Sequence, residues 1–489
     1  MATNLRNPRR SSRRRKATPI AAPTRLSYDA VRDAKRRRAP LTNVKSEDKI
    51  LASGDRKKLV ATARDIRRNF AIAGWMIRKH LDFVSSFTFQ SRTGDAGLDR
   101  AIEELMAWYE APENCDAAGR HCFSKLMRIA ESSATLDGDV FFVKLSNGRL
   151  QAIEGDRIRD PQYKKPLDMK AADWTHGIKT TTTGRAVQYC LCNRRDAGGF
   201  EFARIVPAKY VIPHGFFERF DQVRGISPLA PAINTLQDCY ENWTYALAKA
   251  KLAQIFGLIV TRQAAEAMGP ITADTANAAD GEADDADATE ERYSMEVGGG
   301  PFKLEMDPGD DAKILSENAP SSQFAAFTES MIASAIKCLD IPYSFYDERA
   351  GNYYQSRGAL IQYLFSAEQK RQTARLLRDR VTAWRMGLWK LDGLLPDSLD
   401  VSKRPWEWIA KGLPWWNPLQ ETKADALAID KNLTTRTAVL KTQGRDFREV
   451  VDEAFAEEEY IRKKQADLDK KYPPPAPVAA GGTNGASDE

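Results

Sequence analysis

From Gln355 to about Leu391 the chain runs without a proline and with only Gly358 and Gly387 to interrupt it. No other segment limits the fold so strongly, because an unbroken helix there is roughly 50 Å long at about 1.5 Å per residue. Ordinary globular helices are much shorter. Leu360, Ile361, Leu364, Phe365, Leu376, Leu377, Val381, Trp384, Leu388 and Trp389 recur at three- and four-residue steps and predict a buried stripe. Arg371, Arg375, Arg378, Arg380 and Arg385 predict a basic opposite face, turned to neighbours or to water. Just before the helix, YSFYDERAGNYYQSRGAL sets Arg349, Asn352, Tyr353 and Tyr354 on a loop with a glycine at its tip. Such an element reads either as a strut serving an assembly or as a long helix within an ordinary α-rich protein.

A chain of 489 residues is long enough for two or three domains with real cores. Apolar residues make up 42% and charged residues 29%. No run approaches the ~18 apolar residues of a membrane helix, and no apolar signal segment opens the chain, so no membrane partner and a cytoplasmic site of synthesis and assembly are expected. Six cysteines form no disulfide framework. Cys115 with His121 and Cys122, or Cys190 with Cys192, lack the matched second pair of a zinc site, so neither a metal nor another cofactor is expected. The net charge of +6 is unevenly spread. RNPRRSSRRRK and KRRR mark residues 1–55 as a basic disordered arm, either a solvated tail or an electrostatic contact for nucleic acid or an acidic partner. Residues 471–489, rich in Pro, Gly and Ala, read as a disordered tail.

Between these ends the composition predicts an α+β protein. Asp55 to Phe89 reads as one helix followed by a strand-like SSFTFQ, with further helices over Leu98–Tyr109 and Phe123–Leu136. DGDVFFVKLSNGRLQAIEGD is a hairpin signal, Val140–Leu145 and Leu150–Ile153 joined by Asn147-Gly148. Strands follow over Ala186–Cys192 and Ile205–Ile212. Ser227-Pro228 predicts the start of a helix that runs to about Phe256, with LIVTR strand-like beyond it. TADTANAADGEADDADATEE is an acidic insertion, and β-like ERYSMEVG and PFKLEMD beside it suggest a small appended module. Ser321-Ser322 caps another helix that ends before Ile341-Pro342. Trp406, Trp408, Trp415 and Trp416 are expected in a hydrophobic core rather than as base-stacking platforms, and Thr422–Gln465 as two helices broken near Gln443-Gly444.

Catalytic signatures are missing from this pattern. No phosphate loop, dinucleotide fingerprint, nucleophile elbow or zinc-protease helix occurs. His80, His121, His176 and His214 are scattered and read as packed or surface residues. Asp137 and Asp139, or Asp156 and Asp160, flank turns and need no metal to explain them.

Taken in order, LDGDVFFVK, IEGDRIRDP, HGFFERFDQVRGISPLAPAI, NYYQSRGAL and WWNPLQETKADALAIDKNLTTRTAVLKTQGRDFREVVDEAFAEE resemble the portal proteins of lambda-like tailed phages, over about Arg64 to Glu459. The resemblance implies a dodecameric, non-enzymatic ring at one vertex of the virion capsid, passing double-stranded DNA without sequence preference. Its partners would be the terminase large subunit, the head-tail adaptor and the major capsid protein. It further implies a wing over 56–226, a first stem helix over 227–262, a clip with the acidic loop over 263–318 and a second stem helix over 319–342. A tunnel loop would span 343–354, a spine helix with its return to the wing 355–420, and a crown 421–470. Arg349, Asn352, Tyr353 and Tyr354 would be the DNA-facing residues, although Arg349 has Asp347 and Glu348 as alternative partners within its own loop. The rival expectation is a packaging or other DNA-processing enzyme.

Overall fold

The computed structural model describes residues 45–167, 169–170, 173–255, 258–262, 310–314, 322–347, 352–412 and 417–472. The acidic insertion, Arg349, Trp415, Trp416 and most of both termini lie outside the described residues. The chain opens with α1 (Glu47–Ile50), α2 (Ser53–Asn69) and α3 (Ala71–Val84), then β1 (Phe87–Ser91), α4 (Ala96–Glu110), α5 (Pro112–Cys115) and α6 (Phe123–Asp137). The strands β2 (Asp139–Lys144), β3 (Leu150–Glu154), β4 (Trp174–Thr175), β5 (Ile178–Thr180), β6 (Ala186–Arg194), β7 (Phe200–Pro207) and β8 (Val211–Gly215) come next. They are followed by α7 (Ile233–Ile255), β9 (Leu258–Arg262), β10 (Asp310–Ile314), α8 (Ser322–Ala335) and α9 (Tyr353–Leu391). The chain closes with β11 (Trp406–Ala410), α10 (Pro418–Asp430), α11 (Arg436–Thr442) and α12 (Phe447–Lys471). Among the described residues, no helix is long and apolar enough to cross a membrane.

The strands form four antiparallel sheets, β3-β2-β8, β4-β5-β6-β7, β1-β11 and β9-β10. The fold is therefore α+β, as the sequence predicts. The predicted strand Ile205–Ile212 is two strands in different sheets, because Pro207 has no N–H to continue the ladder and Ala208–Tyr210 turns as a 3-10 helix. The predicted helix over 55–89 is likewise two, kinked at Phe70 (φ -114, ψ 111). Neither Gly nor Pro stands there. The break is tertiary: Phe70 is buried with its ring edge-on to Tyr240 and Trp243 of α7.

The start of α7 also differs from expectation. Ser227 does accept from Leu229 N, but its hydroxyl donates to Thr135 O at 2.6 Å. A second proline follows, Ala230–Ala232 forms a 3-10 turn, and the α-helix begins only at Ile233. The C-terminal segment holds three helices rather than two. The extra break lies where Asn432 takes φ 58 and Thr435 caps α11 through Ala438 N. Residues 45–55, expected within the basic arm, instead form α1 and the start of α2. There Asp48 accepts from Val223 N at 2.7 Å and from Arg224 N at 3.3 Å.

One buried ion pair joins these layers. Asp139 begins β2, fully enclosed, and Arg224 meets it from the loop after β8, Nε to Oδ2 at 2.7 Å and Nη2 to Oδ1 at 2.8 Å. All five guanidinium N–H groups are used, the other three donating to the carbonyls of Gly155, Ile158 and His176. Gly225 N and Arg56 of α2 complete the carboxylate's shell. Burial alone would raise the Asp139 carboxyl, but the charges of Arg224 and Arg56 and the hydrogen bonds outweigh it and hold the group below its ordinary value. Burial and the neighbouring Arg224 charge bring Arg56 down to about 10.

Backbones must approach closely for this to close. A Cβ on Gly225 would lie 2.1 Å from Gly138 O, and one on Gly155 2.4 Å from Asp139 Oδ1. Gly225→Ala should therefore cost about 3 kcal/mol, whereas Gly54→Ala, with nothing within 4 Å, should be neutral or slightly stabilising. Thermal and denaturant unfolding of the two variants measure this contrast. Because the folded Asp139 pKa lies below its unfolded value of about 3.9, its contribution is present above that pH and is lost as pH falls through the folded value. Asp139→Asn should flatten the acid limb of the stability curve and, by leaving Arg224 uncompensated, cost about 3–5 kcal/mol at neutral pH. Urea titrations between pH 7 and 3 read both effects.

Candidate functional site

The loop ahead of α9 stands on a rigid base. α8 continues as a 3-10 turn over Ile336–Leu339 and stops at Asp340, whose φ of 61 turns the chain. Lys370 of α9 clamps that stop, its Nζ donating to Asp340 Oδ2 and Leu339 O, both at 2.8 Å, while the Ser366 hydroxyl bonds the same carboxylate. Partial burial works against ionisation of Asp340, and the Lys370 and Ser366 hydrogen bonds override it, so its carboxyl sits below the ordinary range. Ile341 is buried, and the 3-10 turn Tyr343–Phe345 then packs aromatic rings onto α3 and α9. Phe345 stacks on Phe83 at 5.7 Å and meets Tyr363 edge-on at 5.5 Å, and Tyr346 meets Trp75 at 5.9 Å.

On the far side of the tip, Asn352 is the N-cap of α9, its side-chain oxygen accepting from Tyr354 N at 3.3 Å. The predicted site residues are thereby divided. Arg349 lies outside the described residues. Tyr353 and Tyr354 belong to the first turn of the helix rather than to the loop, because the Asn352 cap starts the helix earlier than Gln355. Tyr354 is 79% exposed. Between the loop base and the first turns of α9 lies an open groove of about 730 Å³, with Asp347, Gln355 and Gln362 among its lining.

Of the basic face of α9 only Arg380 is exposed, and the other four arginines meet neighbours. Arg378 is buried, donates to Ser85 O at 2.6 Å and stacks over Phe87 at 4.3 Å. Burial lowers its pKa to about 10. Arg385 is buried between the rings of Tyr109 and Trp389, 4.8 Å from each. Arg371 and Arg375 donate to Phe83 O and Trp408 O. Arginines braced on rings and carbonyls thus fix the C-terminal half of α9 to the α+β domain, where Leu377, Val381 and Trp389 are buried. The predicted stripe fails in the other half: Phe365 is 74% and Ile361 46% exposed, and the buried register runs instead through Tyr363, Ala367 and Ala374.

Sequence reasoning missed two clusters. Asp137 and Asp139 are not merely turn carboxylates. Arg64 holds Asp137 with two hydrogen bonds, Nε at 2.8 Å and Nη2 at 2.5 Å, and Arg224 holds Asp139. Turn chemistry explains only Gly138 between them, at φ 94. Two of the scattered histidines converge, His80 Nε2 at 3.4 Å and His214 Nε2 at 2.8 Å from the two oxygens of the buried Glu131. The signal was available in the aspartates of LDGDVFFVK and the arginine of RGISPL, which mark a buried pair once they are brought together. Trp406 and Trp408 are core residues as expected, with their indole N–H groups on Asp379 and Thr382. Among the described residues, no group of three or more His, Cys, Asp or Glu is placed to hold a metal ion.

The family model described as phage portal protein, lambda family, matches residues 33–370. The chain belongs to that family. Portal proteins of this family are structural components of the phage particle, so the protein is not an enzyme, and the DNA-processing alternative is set aside. The chain is 23% identical over 410 residues to a probable portal protein of Halomonas phage phiHAP-1, covering 77% of this chain and 73% of that protein. Among solved structures it is similar to a chain of the virion of a native gene transfer agent particle, at 13% identity and a TM-score of 0.43, covering 80% of this chain and 93% of that one. It is also similar to a chain of the neck of the native particle computed with C12 symmetry, at 13% identity and a TM-score of 0.44, covering 80% and 94%.

Lys370→Ala removes the clamp on the loop base. The expected loss is about 1 kcal/mol, since the partner carboxylate is half exposed. Amide hydrogen exchange over residues 341–347 should quicken while that of β2 stays unchanged.

Proposed function

We propose that the chain assembles into a closed dodecameric ring at one capsid vertex, through which double-stranded DNA enters during packaging and leaves at ejection. The observation that most supports this is the divided surface of α9. Its C-terminal half is buried in its own chain, whereas its N-terminal half, directly behind the loop, leaves Ile361 and Phe365 exposed. Tyr245 and Leu247 on α7 and Phe327 on α8 are exposed as well. Apolar surface of this kind on neighbouring helices suits burial against another subunit.

In this reading the α+β part is the wing, α7 and α8 are the stem, α9 is the spine and α10–α12 the crown. The clip over 263–318 lies outside the described residues apart from β10, and its assignment rests on the family alone. The ring would receive the terminase large subunit during packaging and a head-tail adaptor afterwards, with the major capsid protein around it. The loop over 343–354 would face the DNA. A translocation channel must touch phosphates without holding them, because every fixed cation–phosphate contact adds salt-dependent affinity. Arg349, Asn352, Tyr353 and Tyr354, repeated around a ring, supply few charges and several neutral polar groups, which fits that demand.

Mass photometry of the purified chain tests the assembly. Rings are expected, and a stable monomer or dimer under all assembly conditions defeats the proposal. For the loop, Arg349→Ala with Asn352→Ala should leave ring assembly intact and reduce the DNA packaged or retained. Asn352→Asp keeps the helix cap but adds negative charge, so it separates a capping role from a DNA-facing one. Unchanged packaging in both variants would remove the loop from the channel.

A further inference from the structure

Along α12 an apolar stripe repeats every seven residues, through Phe447, Ala454, Ile461 and Leu468, with Val451 and Tyr472 on the same side. Glu458 and Gln465 interrupt this face, which is otherwise one apolar side of the helix. Its two halves differ in what they meet. Phe447, Val451 and Ala454 line an apolar groove of about 510 Å³ together with Ile429 of α10 and Leu440 of α11. Further on, Ile461 and Leu468 are each 57% exposed, and no residue of α12 is buried. A stripe that continues from a half lining a groove into a bare half calls for a second surface to cover it.

The charges divide at the same point. Residues 447–459 carry Glu449, Asp452, Glu453, Glu457, Glu458 and Glu459 against the single Arg448. Residues 460–471 carry Arg462, Lys463, Lys464, Lys470 and Lys471 against Asp467 and Asp469. The intrahelical pairs Arg462–Glu458 at 3.4 Å and Lys463–Glu459 at 2.6 Å join the halves only at their boundary. One helix therefore presents an apolar basic surface at its end and an acidic start beside an apolar groove.

We propose that the basic half of α12 packs onto the acidic half of α12, and the groove beside it, in an adjacent copy of this chain. The two surfaces are different, so each copy offers one and accepts on the other. Such a heterologous contact passes from copy to copy instead of stopping at a pair, and forms a ring when the rotation between copies closes. The proposal rests on the ring reading above and specifies how the C-terminal helices join within it.

A charge exchange tests the contact. One variant combines Arg462→Glu, Lys463→Glu and Lys464→Glu, making both halves acidic. The other combines Glu457→Lys, Glu458→Lys and Glu459→Lys, making both halves basic. Circular dichroism checks that each keeps its helices. By native mass spectrometry, the concentration at which half the chains are in rings should rise at least tenfold for either variant alone. It should return towards the wild-type value in an equimolar mixture, with the two variants equally represented in each ring. Unchanged assembly of either variant alone overturns the contact, as does a mixture that stays unassembled while the wild type forms rings. A mixture that stops at two copies also overturns it, in favour of an antiparallel pair. A wild-type chain that forms no rings overturns the ring reading, and this contact with it.

Discussion

The Asp139–Arg224 pair is the contact on which the rest of the α+β part depends. It brings together α2, through Arg56, the start of β2, the turn after β3 and the loop that leads to α7. A buried charge pair is tolerable only when its remaining hydrogen-bonding capacity is met, and here every guanidinium donor has an acceptor. The glycines around it follow from that requirement. Gly138, Gly155, Gly215 and Gly225 each stand where a Cβ would lie within 3 Å of a neighbouring atom, because the main chain before β2, at the end of β8 and around Arg224 packs directly together beside the pair. Two segments that carry the family resemblance, LDGDVFFVK and RGISPL, are thus the two sides of one joint.

From that joint the architecture builds outward to α9. Its C-terminal half uses arginine where a simpler helix would use leucine. A guanidinium stacked on rings and bonded to main-chain carbonyls ties the helix to particular backbone atoms, which fixes its axial position as well as its depth. The N-terminal half relies on smaller buried residues, Ala367 and Ala374, and on Lys370, which clamps the end of α8. The loop at the head of the helix is therefore carried by an element anchored along most of its length.

The C-terminal helices are attached by fewer contacts. Arg92 binds Asp446, Lys441 binds Glu407 at 2.9 Å, and Gly444 lies against the backbone of Gly412, where a Cβ would come within 2.4 Å. These contacts fix the start of α12 on the β1-β11 edge and leave the rest of that helix outside the chain's own core. Exposed apolar residues there and on α7 and α9 belong to one pattern, a chain whose hydrophobic burial is incomplete by itself.

Much was legible from the sequence alone: the long helix, the Asn147-Gly148 hairpin, the buried Trp406 and Trp408, and the absence of catalytic motifs. These depend on local propensity, periodicity and turn chemistry, which a single strand of letters records. The break between α10 and α11 has local signals as well, in Asn432 and Thr435. Tertiary structure alone decided the rest. It kinked the first long helix at Phe70 by burying that ring beneath α7, divided 205–212 between two sheets, and turned Arg378 and Arg385 of α9 inward. It also chose which face of the N-terminal half of α9 is covered, and joined residues 85 positions apart into the Asp139–Arg224 pair. Periodicity names an apolar face but not the surface that meets it, and a charge shows its partner only when the chain has brought the two together.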